Sequence, residues 1–325
     1  MAFRFVMARG AAPDVAVETE HLQGQDVEVR IAELDTADKV SRETRGENGV
    51  IVALEPLPRE FIESFPPEVK IIGRAGIGLD AIDLDAARER GIAVFHTPEY
   101  ATEEVATHAL ALILALNRRL LPGNDLARTP DWENYGKLGD VRPLSEQTVG
   151  VAGLGRIGRA VVEGLRPFGP RMIGFDPFIG EGPEGVDLVP DRHTLLEVVD
   201  ILTLHLPLTP ETTHIIDARV IQHLRAGATV INVSRGRLVD EEALAQALVE
   251  GRVGAAGLDV LSAEPPPPDA PILSAPNVIL TPHFAWYSVS SERRVRTEVL
   301  DGMLDYLNDR PPRTGRLVVD PRASG

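Results

Sequence analysis

The sequence predicts an α/β protein made of two doubly wound parallel-sheet domains. Three observations predict it. A short apolar strand, Thr148-Val149-Gly150-Val151-Ala152, runs into Gly153-Leu154-Gly155-Arg156-Ile157-Gly158 and then into a helical pattern from Arg159. The first hundred residues alternate strand and helix signals, the order that gives a parallel sheet covered by helices. The same alternation resumes after Asp176 and continues to Leu280. With 325 residues and 43% apolar side chains, the chain can build one large or two medium domains around a real core.

Taken in order, Phe3-Arg4-Phe5-Val6-Met7 reads as the first strand, too short for the apolar core of a signal peptide. Residues 27–31, 49–53, 69–72 and 92–95 read as further strands. Residues 61–65 and 84–90 read as short helices, the second ended by Gly91. A long helix is predicted over 102–120, with Val105, Ala109, Leu112, Ile113, Leu116 and Leu120 at helical spacing. It is apolar nearly all round, which predicts burial on several sides, as for a helix joining two domains. His108 within it reads as structural. Residues 122–147 form a polar, turn-rich loop, a length that is usually functional or covers a partner subunit. Its apolar anchors Trp132, Tyr135 and Leu138 read as a homodimer contact, against the alternative of packing on their own subunit.

Strands at 148–152 and 172–175 follow, then 201–204, 229–232, 254–258 and 278–280, with helices between them, notably 241–250. A closing helix is predicted over 290–308, and residues 313–321 are expected to return to the first domain. That domain is then discontinuous: residues 1–101 with 291–325 form one domain, and 102–290 the other.

Composition narrows the function. A formal charge of −16 argues against nucleic acid and anionic membrane as partners, so an anionic small substrate needs a local cationic clamp. There is no cysteine, which excludes disulfides, zinc–thiolate sites and thiol nucleophiles and fits the cytoplasm. The longest apolar run, 109–116, is far below a membrane span. No repeat or charge block stands out, and no metal site is expected.

The glycine turn carries a specific physics. The first glycine permits the turn, the second lets backbone approach a pyrophosphate, and the third lets helix and strand pack closely. Asp176 ends the next strand about 20 residues on, where a dinucleotide-binding Rossmann-like domain keeps its ribose 2′-OH acceptor. A carboxylate repels a 2′-phosphate and no cation adjoins it in Pro177-Phe178-Ile179, so the cofactor reads as NAD rather than NADP.

A nicotinamide cofactor calls for an acid/base on the substrate oxygen, a group that tunes it, and a clamp. Arg235, in Asn232-Val233-Ser234-Arg235-Gly236 at a strand end, could grip a carboxylate with two parallel hydrogen bonds. His283, after Thr281-Pro282, is a plausible acid/base because imidazole titrates near neutrality. Glu264 could bond that imidazole and fix its tautomer. Gly73-Arg74-Ala75-Gly76-Ile77-Gly78-Leu79-Asp80 reads equally as an anion-binding loop and as a plain tight turn.

Together, Gly153 to Gly158, Asn232 to Gly236, Leu258-Asp259-Val260 with Glu264-Pro265, and Thr281-Pro282-His283 resemble the D-isomer-specific 2-hydroxyacid dehydrogenases in order and spacing, over nearly the whole chain. Residues 73–83 resemble the substrate loop of its phosphoglycerate dehydrogenases. His283-Phe284-Ala285-Trp286-Tyr287-Ser288 is similar to its C-terminal binding protein branch. The resemblance implies an NAD-dependent oxidoreductase interconverting a 2-oxoacid and a D-2-hydroxyacid. It implies His283 as acid/base, Glu264 as its partner and Arg235 as clamp on substrate carboxylate and carbonyl. It implies backbone donors at Ile77 and Gly78, a substrate-side wall at Trp286, and Asp259 orienting the nicotinamide carboxamide. It implies a cofactor lining of Gly153, Gly155, Arg156, Ile157, Gly158, Asp176, His205, Pro207, Thr212, Val233 and Ser234. His21, His96, His193, His214 and His223 match no catalytic position.

The resemblance leaves rivals. Members of the C-terminal binding protein branch act as NAD(H)-sensing scaffolds for other proteins. Formate oxidation is disfavoured because that branch places glutamine where Glu264 stands, and phosphite oxidation is a lesser alternative. Glu55, in the loop after the third strand, reads as a solvated carboxylate; facing substrate, it would disfavour a second anionic substituent and prefer a cationic or hydroxylated one.

Overall fold

The computed structural model, which describes residues 2–324, starts with β1 (Phe3–Ala8), α1 (Ala16–His21), β2 (Val27–Ala32), α2 (Ala37–Glu43), β3 (Gly49–Val52), α3 (Arg59–Ser64), β4 (Ile71–Arg74), α4 (Leu84–Glu89) and β5 (Ala93–His96). Next come α5 (Thr102–Asn117), α6 (Leu120–Leu126), β6 (Thr148–Ala152), α7 (Arg156–Leu165), β7 (Arg171–Phe175), β8 (Val186–Leu188), α8 (Arg192–Val198), β9 (Ile201–Leu204), α9 (Ala218–His223), β10 (Ala228–Asn232), α10 (Glu241–Val249), β11 (Val253–Leu258) and β12 (Val278–Leu280). The chain closes with α11 (Val289–Leu307) and β13 (Arg316–Val319). It divides into two units, residues 1–101 with 288–325, and residues 102–287. The second crossing falls three residues before the expected boundary at 291, because Ser288 caps α11 by accepting the Ser291 N–H and belongs with that helix.

In the first unit the sheet runs β13-β5-β4-β3-β1-β2. Neighbouring strands are parallel except at the edge, where β13 pairs antiparallel with β5. The expected parallel sheet therefore carries one antiparallel edge strand, made by the returning C-terminal segment. Strand alternation sends Val6, Val50, Val52, Ile72 and Val94 to the face covered by α2, α3 and α4. It sends Phe5, Met7, Ile51, Ile71 and Phe95 to the opposite face, where Val299 and Met303 of α11 pack. Both faces are dry, which is why these strands read as unbroken apolar runs.

In the second unit the sheet runs β12-β11-β10-β9-β6-β7-β8, and every pair is parallel. All its strands therefore end at one edge. Strand order reverses between β6 and β9, so the loops that leave them flank the point where such sheets take ligands. α5 buries Val105, Ala109, Leu112, Ile113 and Leu116 and packs on this unit's own sheet, with Leu112 and Leu116 against Gly257 of β11.

The helix predicted over 102–120 stops at Asn117, because Arg119 turns into the left-handed region at φ 52°. A second helix, α6, then starts, with Pro122 in its first turn where no amide is needed. The rest of the 122–147 loop holds only short 3₁₀ turns. Trp132 and Tyr135 stand 61% and 66% exposed, so they do not pack on their own unit. Among the described residues no helix is long and apolar enough to cross a membrane.

Candidate active site

The glycine turn leaves β6 and enters α7. Gly153 adopts φ 93°, and a Cβ on it would lie 2.4 Å from the His205 carbonyl oxygen at the end of β9. A Cβ on Gly158 would lie 2.0 Å from the Gly153 carbonyl oxygen, so helix and turn touch backbone to backbone. A Cβ on Gly155 would meet nothing within 4 Å. The second glycine thus faces open space where the first and third face protein. No side chain caps α7 at Gly155, and an uncapped helix N-terminus is a place for an anion. Asp176 accepts the Leu154 N–H at 2.9 Å through one oxygen and the Phe178 N–H at 3.0 Å through the other. A carboxylate has about four acceptor positions, which leaves room for ribose hydroxyls. This open cradle, uncapped helix and acceptor fit a dinucleotide.

The next strand ends extend the same edge. His205 follows β9, with Nε2 at 2.9 Å from Thr203 Oγ1 and Nδ1 buried without a partner among the described residues. Burial pushes the imidazole down to about 4, so it is neutral at physiological pH. The Thr212 hydroxyl donates to the Pro207 carbonyl at 2.7 Å and folds the 207–213 loop. Ser234 Oγ donates to the Leu204 carbonyl at 2.8 Å, tying the end of β10 to β9, while Val233 is buried beside it. Asn232 fixes the following turn, its amide donating to the Arg235 carbonyl and its oxygen accepting the Ser234 N–H.

Arg235 stands half-buried on that turn, its guanidinium donating to the Ser234 carbonyl at 2.7 Å. A Cβ on Gly236 would overlap the Leu261 carbonyl carbon at 2.0 Å, so only glycine lets the loop after β11 close onto this turn. That loop carries Glu264. One Glu264 oxygen accepts the Leu261 N–H at 3.0 Å and the other lies 2.6 Å from His283 Nδ1. Burial pushes the Glu264 carboxyl up. The bond and charge of His283, the Leu261 amide and the charge of Arg235 outweigh it and hold the group below the ordinary carboxylate range.

His283 occupies the left-handed region at φ 54°, a strained place for a residue with a Cβ. Asp259, at the end of β11, holds it there. Its carbonyl accepts the His283 N–H at 2.7 Å. Its carboxylate accepts the Phe284 N–H at 3.1 Å, the Ala285 N–H at 2.9 Å and the Thr281 hydroxyl at 2.6 Å. His108 of α5 lies 3.0 Å from the same hydroxyl. The Trp286 indole N–H donates to the His283 carbonyl at 3.0 Å.

The Asp259 side chain is 1% exposed, and its oxygens accept from the 281–285 turn that carries His283. Trp286 braces the same turn through its ring N–H, a contact that the substrate-wall expectation did not include. His108, by contrast, is structural as expected, and its tie to the turn gives that word content.

In the first unit, the loop after β4 turns its carbonyls inward. Arg74 donates to the Ala75 and Gly78 carbonyls at 2.6 and 3.0 Å, and His96 Nδ1 donates to the Ile77 carbonyl at 2.9 Å. Thr97 accepts the Gly76 N–H at 3.0 Å. No hydrogen bond among the described residues takes the Ile77 or Gly78 N–H. Arg74, His96 and Thr97 were not singled out from sequence as supports of this loop; their partners lie across strands, and only the Gly-rich stretch itself gave a signal.

The unit that holds most of these residues matches a family profile described as "D-isomer specific 2-hydroxyacid dehydrogenase, NAD binding domain" over residues 110–285. A D-3-phosphoglycerate dehydrogenase of Mycobacterium bovis is 34% identical over 295 residues, covering 90% of this chain and 55% of that protein. The chain thus spans about half the length of these first relatives. A hydroxypyruvate reductase of Thermotoga maritima is 35% identical over 89% of this chain and 90% of its own. Among solved structures, an NADPH-dependent glyoxylate/hydroxypyruvate reductase from Sinorhizobium meliloti, in complex with NADP and malonate, superposes with a TM-score of 0.85 at 33% identity, covering 97% of both chains.

Proposed function

The chain belongs to the D-isomer specific 2-hydroxyacid dehydrogenase family, and we propose that it reduces a small 2-oxoacid to the D-2-hydroxyacid, reversibly, with NADH. The observation that carries this reading is the His283 imidazole 2.6 Å from the carboxylate of Glu264, whose loop closes onto the turn that carries Arg235. Backbone of Gly153, Gly155, Arg156, Ile157 and Gly158 would hold the pyrophosphate and Asp176 the adenine ribose. His205, Pro207, Thr212, Val233 and Ser234 would line the nicotinamide side. When bound, NADH contributes the hydride donor.

The chain's own residues do the rest. Glu264 accepts a hydrogen bond from Nδ1–H of His283 and so orients the ring, leaving Nε2 as the atom that carries the mobile proton. That proton goes to the substrate carbonyl oxygen on reduction and is taken back on oxidation. The Arg235 guanidinium offsets the negative charge that grows on that oxygen and holds the substrate carboxylate. The Ile77 and Gly78 N–H groups are assigned to the same carboxylate. Asp176 argues for NADH over NADPH, in contrast to the cofactor named for the Sinorhizobium reductase.

The test is NADH oxidation with glyoxylate, pyruvate and hydroxypyruvate. We expect His283→Ala to lower kcat by at least roughly a hundredfold while the NADH dissociation constant, read by fluorescence, holds. Arg235→Ala should raise KM steeply. A near-wild-type rate in His283→Ala, or NADH binding with no turnover of any 2-oxoacid by the wild type, refutes the reading.

A further inference from the structure

The first unit holds a carboxylate with half of its bonding unmet. Its sheet order reverses between β1 and β3, so the loops that leave these two strands flank the point where a doubly wound sheet takes ligands. Glu55 lies in the loop after β3. One of its oxygens accepts the Ala53 N–H at 2.8 Å. The other, Oε1, is buried and has no partner among the described residues. It sits against Gly10, in the loop after β1, so closely that a Cβ there would come within 2.4 Å of it. Glycine at 10 is what gives this oxygen its place.

The next strand over is β4, which pairs with β3 from Gly49↔Ile71 to Val52↔Arg74, and the Ala75 N–H donates to the Val52 carbonyl at 2.8 Å. The loop with the unclaimed Ile77 and Gly78 N–H groups therefore leaves the sheet beside the Glu55 loop. Two backbone donors and one lone acceptor share one edge of one sheet. The nearby Arg74 guanidinium bonds the Ala75 and Gly78 carbonyls, on the loop that offers those donors.

We propose that Glu55 determines specificity: its Oε1 accepts a hydrogen bond from a hydroxyl on the third carbon of the 2-oxoacid, and its charge excludes phosphate or a second carboxylate there. This rests on the reading that the Ile77 and Gly78 loop receives the substrate carboxylate. A buried acceptor without a donor is costly, and a ligand hydroxyl relieves it; a ligand lacking the hydroxyl leaves it unmet, and an anionic one adds repulsion.

The experiment compares kcat/KM for pyruvate, 3-hydroxypyruvate, oxaloacetate and 3-phosphonooxypyruvate with NADH, in wild type, Glu55→Ala and Glu55→Gln. Wild type should prefer 3-hydroxypyruvate to pyruvate by roughly tenfold or more, the value of one hydrogen bond to a charged acceptor. In Glu55→Ala that ratio should fall to about threefold or less, with the pyruvate value little changed. Glu55→Gln, the milder change, should raise the values severalfold for the two substrates that carry a second anionic group, oxaloacetate and 3-phosphonooxypyruvate. A purely structural Glu55, acting only through the Ala53 N–H, would lower every substrate together and keep the ratios. Unchanged ratios in Glu55→Ala, or in Glu55→Gln if the alanine variant does not fold, overturn the proposal while leaving the oxoacid reductase reading intact. No turnover of any of the four by wild type overturns both.

Discussion

Three glycines of one motif make three different demands, and single substitutions separate them. Gly155 borders open space, whereas Gly158 touches the Gly153 carbonyl and Gly153 adopts a backbone that other residues rarely take. We expect Gly155→Ala to keep the thermal midpoint within about 1 °C yet weaken NADH binding by roughly tenfold or more, since its methyl enters the space proposed for the pyrophosphate. Gly158→Ala should instead destabilise by on the order of 2 kcal/mol, because it pushes α7 off the turn. Calorimetry and fluorescence titration on both variants check this, and equal melting losses would remove the distinction. At this scale the site was largely legible. Asp176, Arg235, Glu264 and His283 all end strands or follow them closely, and strand ends can be read from local pattern. The bonds of Asp259 to the 281–285 turn were not legible, because its partners Thr281 and Phe284 lie 22 and 25 residues away in sequence.

At the scale of an element, the 281–285 turn behaves as a small machine part. It holds a left-handed histidine by four hydrogen bonds to Asp259, one of them to the carbonyl, with His108 and Trp286 as further braces. Asp259→Ala removes three of those bonds and leaves two amides and a hydroxyl without their acceptor. We expect kcat to fall by at least roughly tenfold, with the NADH dissociation constant within about threefold of wild type. Amide exchange at Phe284 and Ala285 should speed up. Unchanged exchange with lost NADH affinity would instead mark Asp259 as a nicotinamide contact. Strands and long helices could be read from sequence because their apolar period is unbroken. α1 could not, because its fully buried inward residue is Glu18, bonded by Arg296 of α11 at 2.7 Å. An ion pair in the core erases the apolar signal that a helix face normally gives. α6 was hidden in another way, by a Pro-Gly pair that usually marks a loop but here falls in a helix that begins at Leu120.

For the whole molecule, acid is the informative stress. The chain carries a formal charge of −16 at neutral pH, so mild acid first relieves self-repulsion. Against this runs His205, which burial holds at about 4 against an ordinary value of 6.5. Above pH 6.5 both folded and unfolded chains keep this imidazole neutral, and it costs nothing. Below that, the unfolded chain takes up a proton that the folded chain refuses until about pH 4, so stability falls across the window from 6.5 to 4 and is flat beyond it. The lost stability is on the order of 2 kcal/mol, after allowance for the ring's partial contact with water. Glu264 acts lower: its depressed carboxyl contributes stability at neutral pH that is lost only as pH falls through its folded value, beneath the ordinary carboxylate range. The two are separable by substitution. His205→Gln keeps a polar group near Thr203 and removes the titration. Its urea-derived stability should therefore track that of the wild type at pH 7, minus a constant, and then fail to show the wild-type decline between pH 6.5 and 4. Because the rest of the charge is common to both proteins, the difference between the two curves isolates the histidine. Parallel curves across that window would mean that His205 titrates alike in the folded and unfolded chains, and that water reaches its buried Nδ1.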